Sequence, residues 1–488
     1  MTHDLSSGKI FWQKKRGIIV EHCIDGSREY FQSWNSLLAK RTSERHTGNE
    51  VSKVLYKGSK INYDMQSKLI MAPALNQTID TSWDFKNNSG KYCTHGFHTY
   101  PAMMIPQVAR RLINEFGTGK KTVLDPFMGS GTVLVESCLL DDFERVHGVD
   151  INPLALLIAK VKTTPIDTNY LEMEFSKLKK EISKKSDANI EVPDFSNIKF
   201  WFKPRVIKEL AIIKKSINAV DDHLVKDFFK VAFAETVRNV SNTRKGEYKL
   251  YKMAPSQLER FEPDVLREFY EKAGENIYGM KEFIEQKNKC KAFVLDEDTR
   301  HRTSIPDRSV DLVVTSPPYG DSKTTVAYGQ FSRLALQWLD YNEKKVKKID
   351  QISLGGIPAE KIDYSLDSLT LAQIVDKIAK IDESRAKEVL SFYKDFYSCA
   401  KEIDRVMKED GTLCFVVGNR TVKQVQIPTD KIIVELFKSI GAYEHEKTII
   451  RNIPSKRLPK SNSPTNVKGE VGSTMNHEFI VILKKRAK

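Results

Sequence analysis

Cysteine is sparse and unpaired in this chain: Cys23, Cys93, Cys138, Cys290, Cys399 and Cys414 are scattered through 488 residues with no C-x-x-C spacing. That pattern excludes a zinc ribbon and a disulfide framework, and predicts free thiols, no metal and an intracellular setting. No apolar run reaches the roughly eighteen residues that a membrane span requires, and the start Met1-Thr2-His3-Asp4-Leu5 lacks the basic-then-apolar order of a secretory leader. The expectation is a soluble cytoplasmic protein with no membrane partner. Two nucleotide-binding signatures are incomplete. The dinucleotide fingerprint G-x-G-x-x-G stops at Gly129-Ser130-Gly131, because Leu134 stands at its third glycine, which argues against a nicotinamide cofactor. The phosphate-loop pattern fails around Gly119-Lys120, where Asn114 replaces its first glycine and Lys121 its hydroxyl residue.

What is present begins with charge. Lys plus Arg number 78 against 64 Asp plus Glu, a formal charge of +14, which favours a polyanionic partner through counterion release. With 40% apolar residues the chain can bury a substantial core, and its length fits roughly two to four domains.

Residues 315 to 320 read Thr315-Ser316-Pro317-Pro318-Tyr319-Gly320, directly after the apolar run Val310-Asp311-Leu312-Val313-Val314. Two consecutive prolines have fixed φ and no N–H, so a strand must leave its sheet there. The exit frees the Ser316 hydroxyl and the Pro317 carbonyl beside the ring of Tyr319, at the carboxyl edge where α/β sheets bind ligands. Polar acceptors beside a stacking ring suit a planar base bearing an amino group. Pro-Pro also ends ordinary strands, so a second segment decides the matter.

Lys121 to Asp125 reads as a strand, Pro126 to Gly131 as a glycine turn and Thr132 to Ser137 as a helix. Gly129 and Gly131 permit a sharp turn and close approach to a ligand, and the helix start offers N–H groups to an anion. Further on, Asp150 closes another short apolar run, where an acidic residue takes ribose hydroxyls in nucleoside-binding folds. The two segments together describe a nucleoside-binding half-fold facing a base-binding corner.

With both in hand, the chain resembles the amino-group DNA methyltransferases that use S-adenosylmethionine, over residues 81–163 and 291–485. The resemblance implies a Rossmann-like class I methyltransferase fold, α/β, with a mixed, mostly parallel seven-stranded sheet and a reversed last strand. It implies that Asp125, Phe127, Gly129, Ser130 and Gly131 hold the methionine part of S-adenosylmethionine and that Asp150 takes the ribose. Asp298, in Asp298-Thr299-Arg300, takes the adenine, with Asp296 as its rival. His95-Gly96-Phe97-His98-Thr99-Tyr100-Pro101 resembles the family's leading motif, so Tyr100 and Pro101 are expected at the methionine end; His95 and His98 read as hydrogen-bonding loop histidines. Ser316, Pro317, Pro318 and Tyr319 form the catalytic motif. A Ser at its first position resembles the N4-cytosine branch, whereas Asp or Asn resembles the N6-adenine branch. Methylation of a ring carbon would need a cysteine nucleophile, and no Pro-Cys dipeptide occurs. The expected substrate is a cytosine swung out of duplex DNA. The alternatives are adenine N6, guanine N2 in RNA, and a non-catalytic nucleic-acid-binding module.

The remainder divides into an N-terminal extension (1–80), the cofactor-binding part (81–163), a mainly helical insertion (164–290) and the catalytic part (291–488), with a second insertion near 341–388. In the first insertion, Arg238, Arg244, Lys245, Lys249 and Lys252 interleave with Tyr248 and Tyr251, a mix of cations and rings that suits phosphate and base contacts, Arg244, Lys245, Tyr248 and Lys249 foremost; a solvated basic loop fits equally. The loop 454–474 adds Lys456 and Arg457 as DNA contacts. A restriction or defence-system partner protein is open, and oligomeric state is not legible. Ile105, Val108, Ala109, Leu112, Ile113 and Phe116 mark one helical face, and Val389 through Met407 another, ended by Gly411 before a strand Thr412 to Val417.

Overall fold

The computed structural model describes residues 76–86, 89–185, 190–322, 325–453 and 475–487, and the backbone of short strands within 4–32, at 461–462 and at 472–473. Lys456 and Arg457 lie outside the described residues. Two units are distinguished, Met1–Pro73 and Ala74–Lys488. In the first, strands Asp4–Leu5, Gly8–Lys15, Ile18–Asp25 and Arg28–Gln32 pair in sequence order as an antiparallel sheet.

The second unit is α/β. Its sheet contains β1 (Gln77–Ile79), β2 (Thr122–Asp125), β3 (Arg145–Asp150), β4 (Lys291–Asp296), β5 (Val310–Thr315), β6 (Met407–Gly418), β7 (Tyr443–Asn452) and β8 (His477–Lys485). The spatial order is β1-β7-β8-β6-β5-β2-β3-β4. Strands β4, β3, β2, β5 and β6 run parallel, whereas β8 is antiparallel to both β6 and β7. This is the expected mostly parallel sheet with a reversed last strand, plus an eighth edge strand. That extra strand, β1, comes from residues assigned by sequence to the N-terminal extension and pairs parallel to β7.

Both faces of the sheet are covered, which is why its strands are apolar on successive residues. Leu413, Phe415 and Val417 of β6 enter one core while Cys414 and Val416 enter the other; Val481 and Leu483 of β8 alternate likewise with Ile480 and Ile482. One face packs against α1 (Pro106–Gly117), α2 (Thr132–Cys138) and α3 (Pro153–Thr163). On the same side lie α4 (Thr168–Lys185), α5 (Pro204–Asn218), α6 (His223–Val240) and α7 (Val265–Gln286) of the first insertion, together with α8 (Tyr328–Trp338) and α9 (Glu343–Ile352). The other face carries α10 (Leu369–Ala379), α11 (Glu383–Val406) and α12 (Thr429–Ile440). In α1 the predicted face is buried at Val108, Ala109, Leu112 and Ile113. Pro106 stands in its first turn, where a missing N–H costs nothing.

One boundary differs from expectation. Helix α11 ends at Val406, and β6 begins at Met407 rather than after Gly411. An irregularity in register between Met407 and Thr412 absorbs the intervening residues, with Asp410 in the left-handed region at φ 61. Helical periodicity at Met407 therefore continued into a bulged strand, which no period can mark.

The segment leading to Tyr100 is tied down by Glu136 of α2, which is fully buried. Its carboxylate receives Arg110 Nε at 2.5 Å, meets His95 Nε2 at 2.7 Å and accepts the Tyr92 hydroxyl. Burial alone would raise its pKa, but these partners outweigh it and hold the group below its ordinary value. Burial also holds His95 below its ordinary range. Both histidines thus serve as buried hydrogen-bonding groups, His98 contacting Thr99 O and Glu235. Replacing Glu136 by Ala strands the guanidinium and imidazole together, so Glu136→Ala should cost about 3 kcal/mol in denaturant unfolding. A loss below about 1 kcal/mol would mean that the loop is held by its apolar contacts alone.

Candidate active site

The carboxyl ends of β2, β3, β4 and β5 open into one cleft of about 1040 Å³, solvent at its mouth included. Its walls carry Asp125, Phe127, Gly129 and Ser130 from the turn after β2, Asp150 and Asn152 after β3, Asp298 and Arg300 after β4, and Ser316 and Pro318 after β5. Tyr100 and Pro101 close one side. Segments far apart in sequence thus meet because adjacent parallel strands end at the same sheet edge.

The turn after β2 is built by its glycines. Gly129 and Gly131 have φ of 50 and 80, and a Cβ on Gly131 would stand 2.9 Å from the Cβ of Ala159. Gly131 N bonds Met128 O at 2.8 Å and Met128 N bonds Val149 O at 3.1 Å, anchoring the turn to the end of β3.

The two acids at the bottom are unusual. Asp125 accepts from Thr315 Oγ1 at 2.6 Å and Phe127 N at 3.1 Å; Asp150 accepts from Gly129 N at 3.0 Å and Asn152 N at 2.8 Å. All four donors are neutral. Burial therefore pushes Asp125 up to about 7 and Asp150 up to about 6, the hydrogen bonds offsetting part of the shift. A buried and a half-buried carboxylate, short of positive charge in a cleft also lined by Phe127, Met128, Val149 and Leu354, suit a cationic nucleoside rich in hydroxyls.

The other expected residues fall into three groups. Asp298 faces the cleft but is forked to Arg300, at 3.0 Å from Nε and 2.6 Å from Nη2; burial raises its pKa, and Arg300 brings it below the ordinary value. Gly131, Pro317 and Tyr319 do not line the cleft, although their neighbours do. Arg244, Lys245, Tyr248 and Lys249 also lie outside it, on the loop after α6. Tyr248 packs on Phe331 at 6.3 Å, and Phe331 on Tyr100 at 5.7 Å, so two ring contacts separate loop from cleft. Lys245 is committed to Asn239 O and the Phe261 ring, and Arg244 Nε donates to Lys252 O at 3.2 Å.

Sequence reasoning missed several contributors. Asn152 caps α3 through Leu154 N at 3.1 Å and donates to Tyr100 Oη at 3.1 Å; Asn152-Pro153 was a readable helix start. Tyr328, which in sequence reads with Gln330 as a contact to the target's edge or as part of a connection to the next helix, stands at the start of α8 and stacks on Tyr100 with centroids 5.9 Å apart. The second insertion, whose role the sequence left illegible, supplies Ile349, Ile352, Ser353 and Leu354 to the wall.

The family model described as DNA methylase, of the N6/N4 methyltransferases, matches residues 9–161 and 310–488. This chain belongs to the N6/N4 DNA methylase family. It is 44% identical over 425 residues to the type II methyltransferase M.MvaI of Kocuria varians, covering 82% of this chain and 93% of that one. To the type II methyltransferase M.BsoBI of Geobacillus stearothermophilus it is 25% identical, over 53% of this chain and 55% of the relative. Among solved structures, the rRNA methyltransferase aviRa of Streptomyces viridochromogenes aligns with 80% of this chain and 88% of its own at 11% identity and a TM-score of 0.27. The methylase is a DNA methyltransferase of restriction-modification type, and its cofactor is S-adenosylmethionine. Among the described residues no helix is long and apolar enough to cross a membrane.

Because Gly131 needs both its left-handed φ and its missing Cβ, Gly131→Ala should destabilise the methylase by about 2 kcal/mol. Thermal unfolding of the variant checks this, and an unchanged midpoint would show that the turn relaxes freely.

Proposed function

We propose that this DNA methylase transfers the methyl group of S-adenosylmethionine to the exocyclic N4 of a cytosine extruded from duplex DNA. The observation that carries this reading is Ser316, where the N6-adenine branch has Asp or Asn, standing in the wall of the cleft that holds Asp125 and Asp150. The bound cofactor supplies an electrophilic methyl group on a sulfonium. Asp150 accepts the ribose hydroxyls and Asp298 meets the adenine. Asp125, Phe127, Gly129, Ser130 and Gly131, with Tyr100 and Pro101, hold the methionine portion; the negative charge of Asp125 suits its cationic centres.

An exocyclic amino nitrogen is a weak nucleophile because its lone pair is delocalised into the ring. Ser316 Oγ and the Pro317 carbonyl accept its two N–H bonds and favour a tetrahedral nitrogen. Held by Ser316 and Pro317, the amino nitrogen would face the methyl group that the cofactor would supply, and one of its two protons would leave to solvent. Positioning carries most of the rate, so no strong base is needed. Extrusion of the base is required because the amino group is paired inside a duplex, and the ring of Tyr319 is its stacking partner. Arg244, Lys245, Tyr248 and Lys249, with Lys456 and Arg457, contact the flanking DNA; Lys245 must first release its bond to Asn239 O.

Sequencing DNA from a host expressing the methylase should find N4-methylcytosine at one motif, and Ser316→Ala should lower turnover about a hundredfold. N6-methyladenine at that motif would overturn the base assignment, and labelling of RNA alone would overturn the substrate. The acids set a pH dependence. Asp150 accepts hydroxyls most strongly as the carboxylate, and burial pushes it up to about 6. Cofactor affinity measured by calorimetry should therefore weaken at least about tenfold between pH 7 and pH 5, protonation of Asp125, pushed up to about 7, adding to that of Asp150. Constant affinity across that range would remove Asp150 from the ribose.

A further inference from the structure

Beside Ser316 runs a hydrogen-bond chain that methyl transfer, as described, leaves unused. Ser316 Oγ donates to Tyr319 Oη at 3.4 Å, and Tyr319 Oη donates to Glu478 Oε1 at 3.1 Å. The other oxygen of Glu478 pairs with Arg451 Nη1. Arg451 is 2% exposed and is fixed by the carbonyls of Trp83 at 2.9 Å and Asp84 at 3.3 Å. Glu478 opposes Gly418 across the β6–β8 pair. A Cβ on Gly418 would stand 2.8 Å from the Tyr319 ring, so the missing side chain makes room for that ring.

The chain has a direction, and its far end sets it. An ionised carboxylate accepts only, and the arginine beside it cannot give up its charge. The single phenolic proton of Tyr319 is thus committed to Glu478, leaving the phenolic oxygen as an acceptor. The hydroxyl proton of Ser316 fills that acceptor. What Ser316 then offers the cleft is lone pairs.

We propose that Glu478 is a positioning residue which, through Tyr319, fixes Ser316 as a hydrogen-bond acceptor and so selects a base bearing an amino group over one bearing a carbonyl. Cytosine presents N4–H donors where uracil and thymine present the O4 acceptor. Opposed acceptors repel and leave buried groups unpaired, a stronger basis for rejection than shape. The proposal rests on the base-binding role given to Ser316 above, and holds equally for an adenine amino group.

Glu478→Gln tests it, because the amide keeps the size of the carboxylate but can donate to Tyr319 and reverse the chain. The substrate is a duplex carrying the motif found by sequencing, with cytosine or uracil at the target. The variant should lose about tenfold in kcat, and its binding preference for cytosine over uracil should shrink about tenfold, the worth of one hydrogen bond. Its cofactor affinity should stay within about twofold of wild type, since Glu478 does not line the cofactor cleft. Uracil opposite guanine is extruded more easily in both proteins, so that effect cancels in the comparison. Tyr319→Phe keeps the ring and cuts the chain; in that background Glu478→Gln should have no further effect on either quantity. Equal losses from Glu478→Gln in both backgrounds, an unchanged cytosine preference, or a parallel loss of cofactor binding would each overturn the proposal. A wild-type protein that methylates no DNA would sink the functional reading and this inference together. Active wild type with Glu478→Gln indistinguishable from it would sink only the inference.

Discussion

The hydrogen bond from Thr315 Oγ1 to Asp125 Oδ1, 2.6 Å long, joins the two halves of the site. Thr315 ends β5 and Asp125 ends β2, neighbours whose register pairs Val123 with Leu312 and Leu124 with Val313. The register brings both strand ends to one level, so the proline corner and the glycine turn face the same cleft. Thr315 is fully buried, and its hydroxyl gives Asp125 a neutral partner that lessens the cost of desolvation without removing it. The carboxyl therefore stays poised near neutrality, and positive charge entering the cleft favours its ionised form.

The legible parts of this chain were those in which one short segment carries the whole physical cause. Pro317-Pro318 ends a strand wherever it stands, and a turn needing positive φ at Gly129 and Gly131 declares itself by its glycines. Helix α1 was readable because its apolar residues repeat along one face. The same reasoning fails where the cause lies in a distant segment. Asn152 was readable as a cap but not as a partner of Tyr100, since that contact depends on where the loop 99–101 lands. Asp298 could be named from its neighbours, yet its fork with Arg300 and the approach of Asp395 to that same guanidinium depend on the placement of α11.

The insertions were the least legible parts, for a related reason. The second one looked like charged surface because α9 is strongly amphipathic: Val346 and Ile349 are buried while its lysines face outward. Among the described residues of this insertion, Ile349 and Ile352 of the last turn of α9 and Ser353 and Leu354 after it reach the cleft. In the first insertion the basic residues were countable, but how far each is committed was not. Arg238 lies over the Phe331 ring at 4.0 Å and bonds the Glu247 carbonyl, so its charge holds the loop against α8. A cation counted as a phosphate contact in sequence can prove to be a brace for the loop that carries the others.

The reversed last strand has a consequence for chemistry as well as for topology. In a parallel sheet, side chains reach the ligand edge only from the carboxyl ends of strands, where each chain is about to leave. Strand β8 runs the other way, so its beginning lies at that edge, with Glu478 opposite Gly418 at the end of β6. A carboxylate from the final strand can therefore meet a tyrosine that follows β5, and do so from regular, hydrogen-bonded backbone. Arg451, near the end of β7, faces the same position because β7 and β8 pair Arg451 with Glu478. The terminal hairpin thus holds an ion pair at the site with the rigidity of a sheet, which a loop after a parallel strand would not provide.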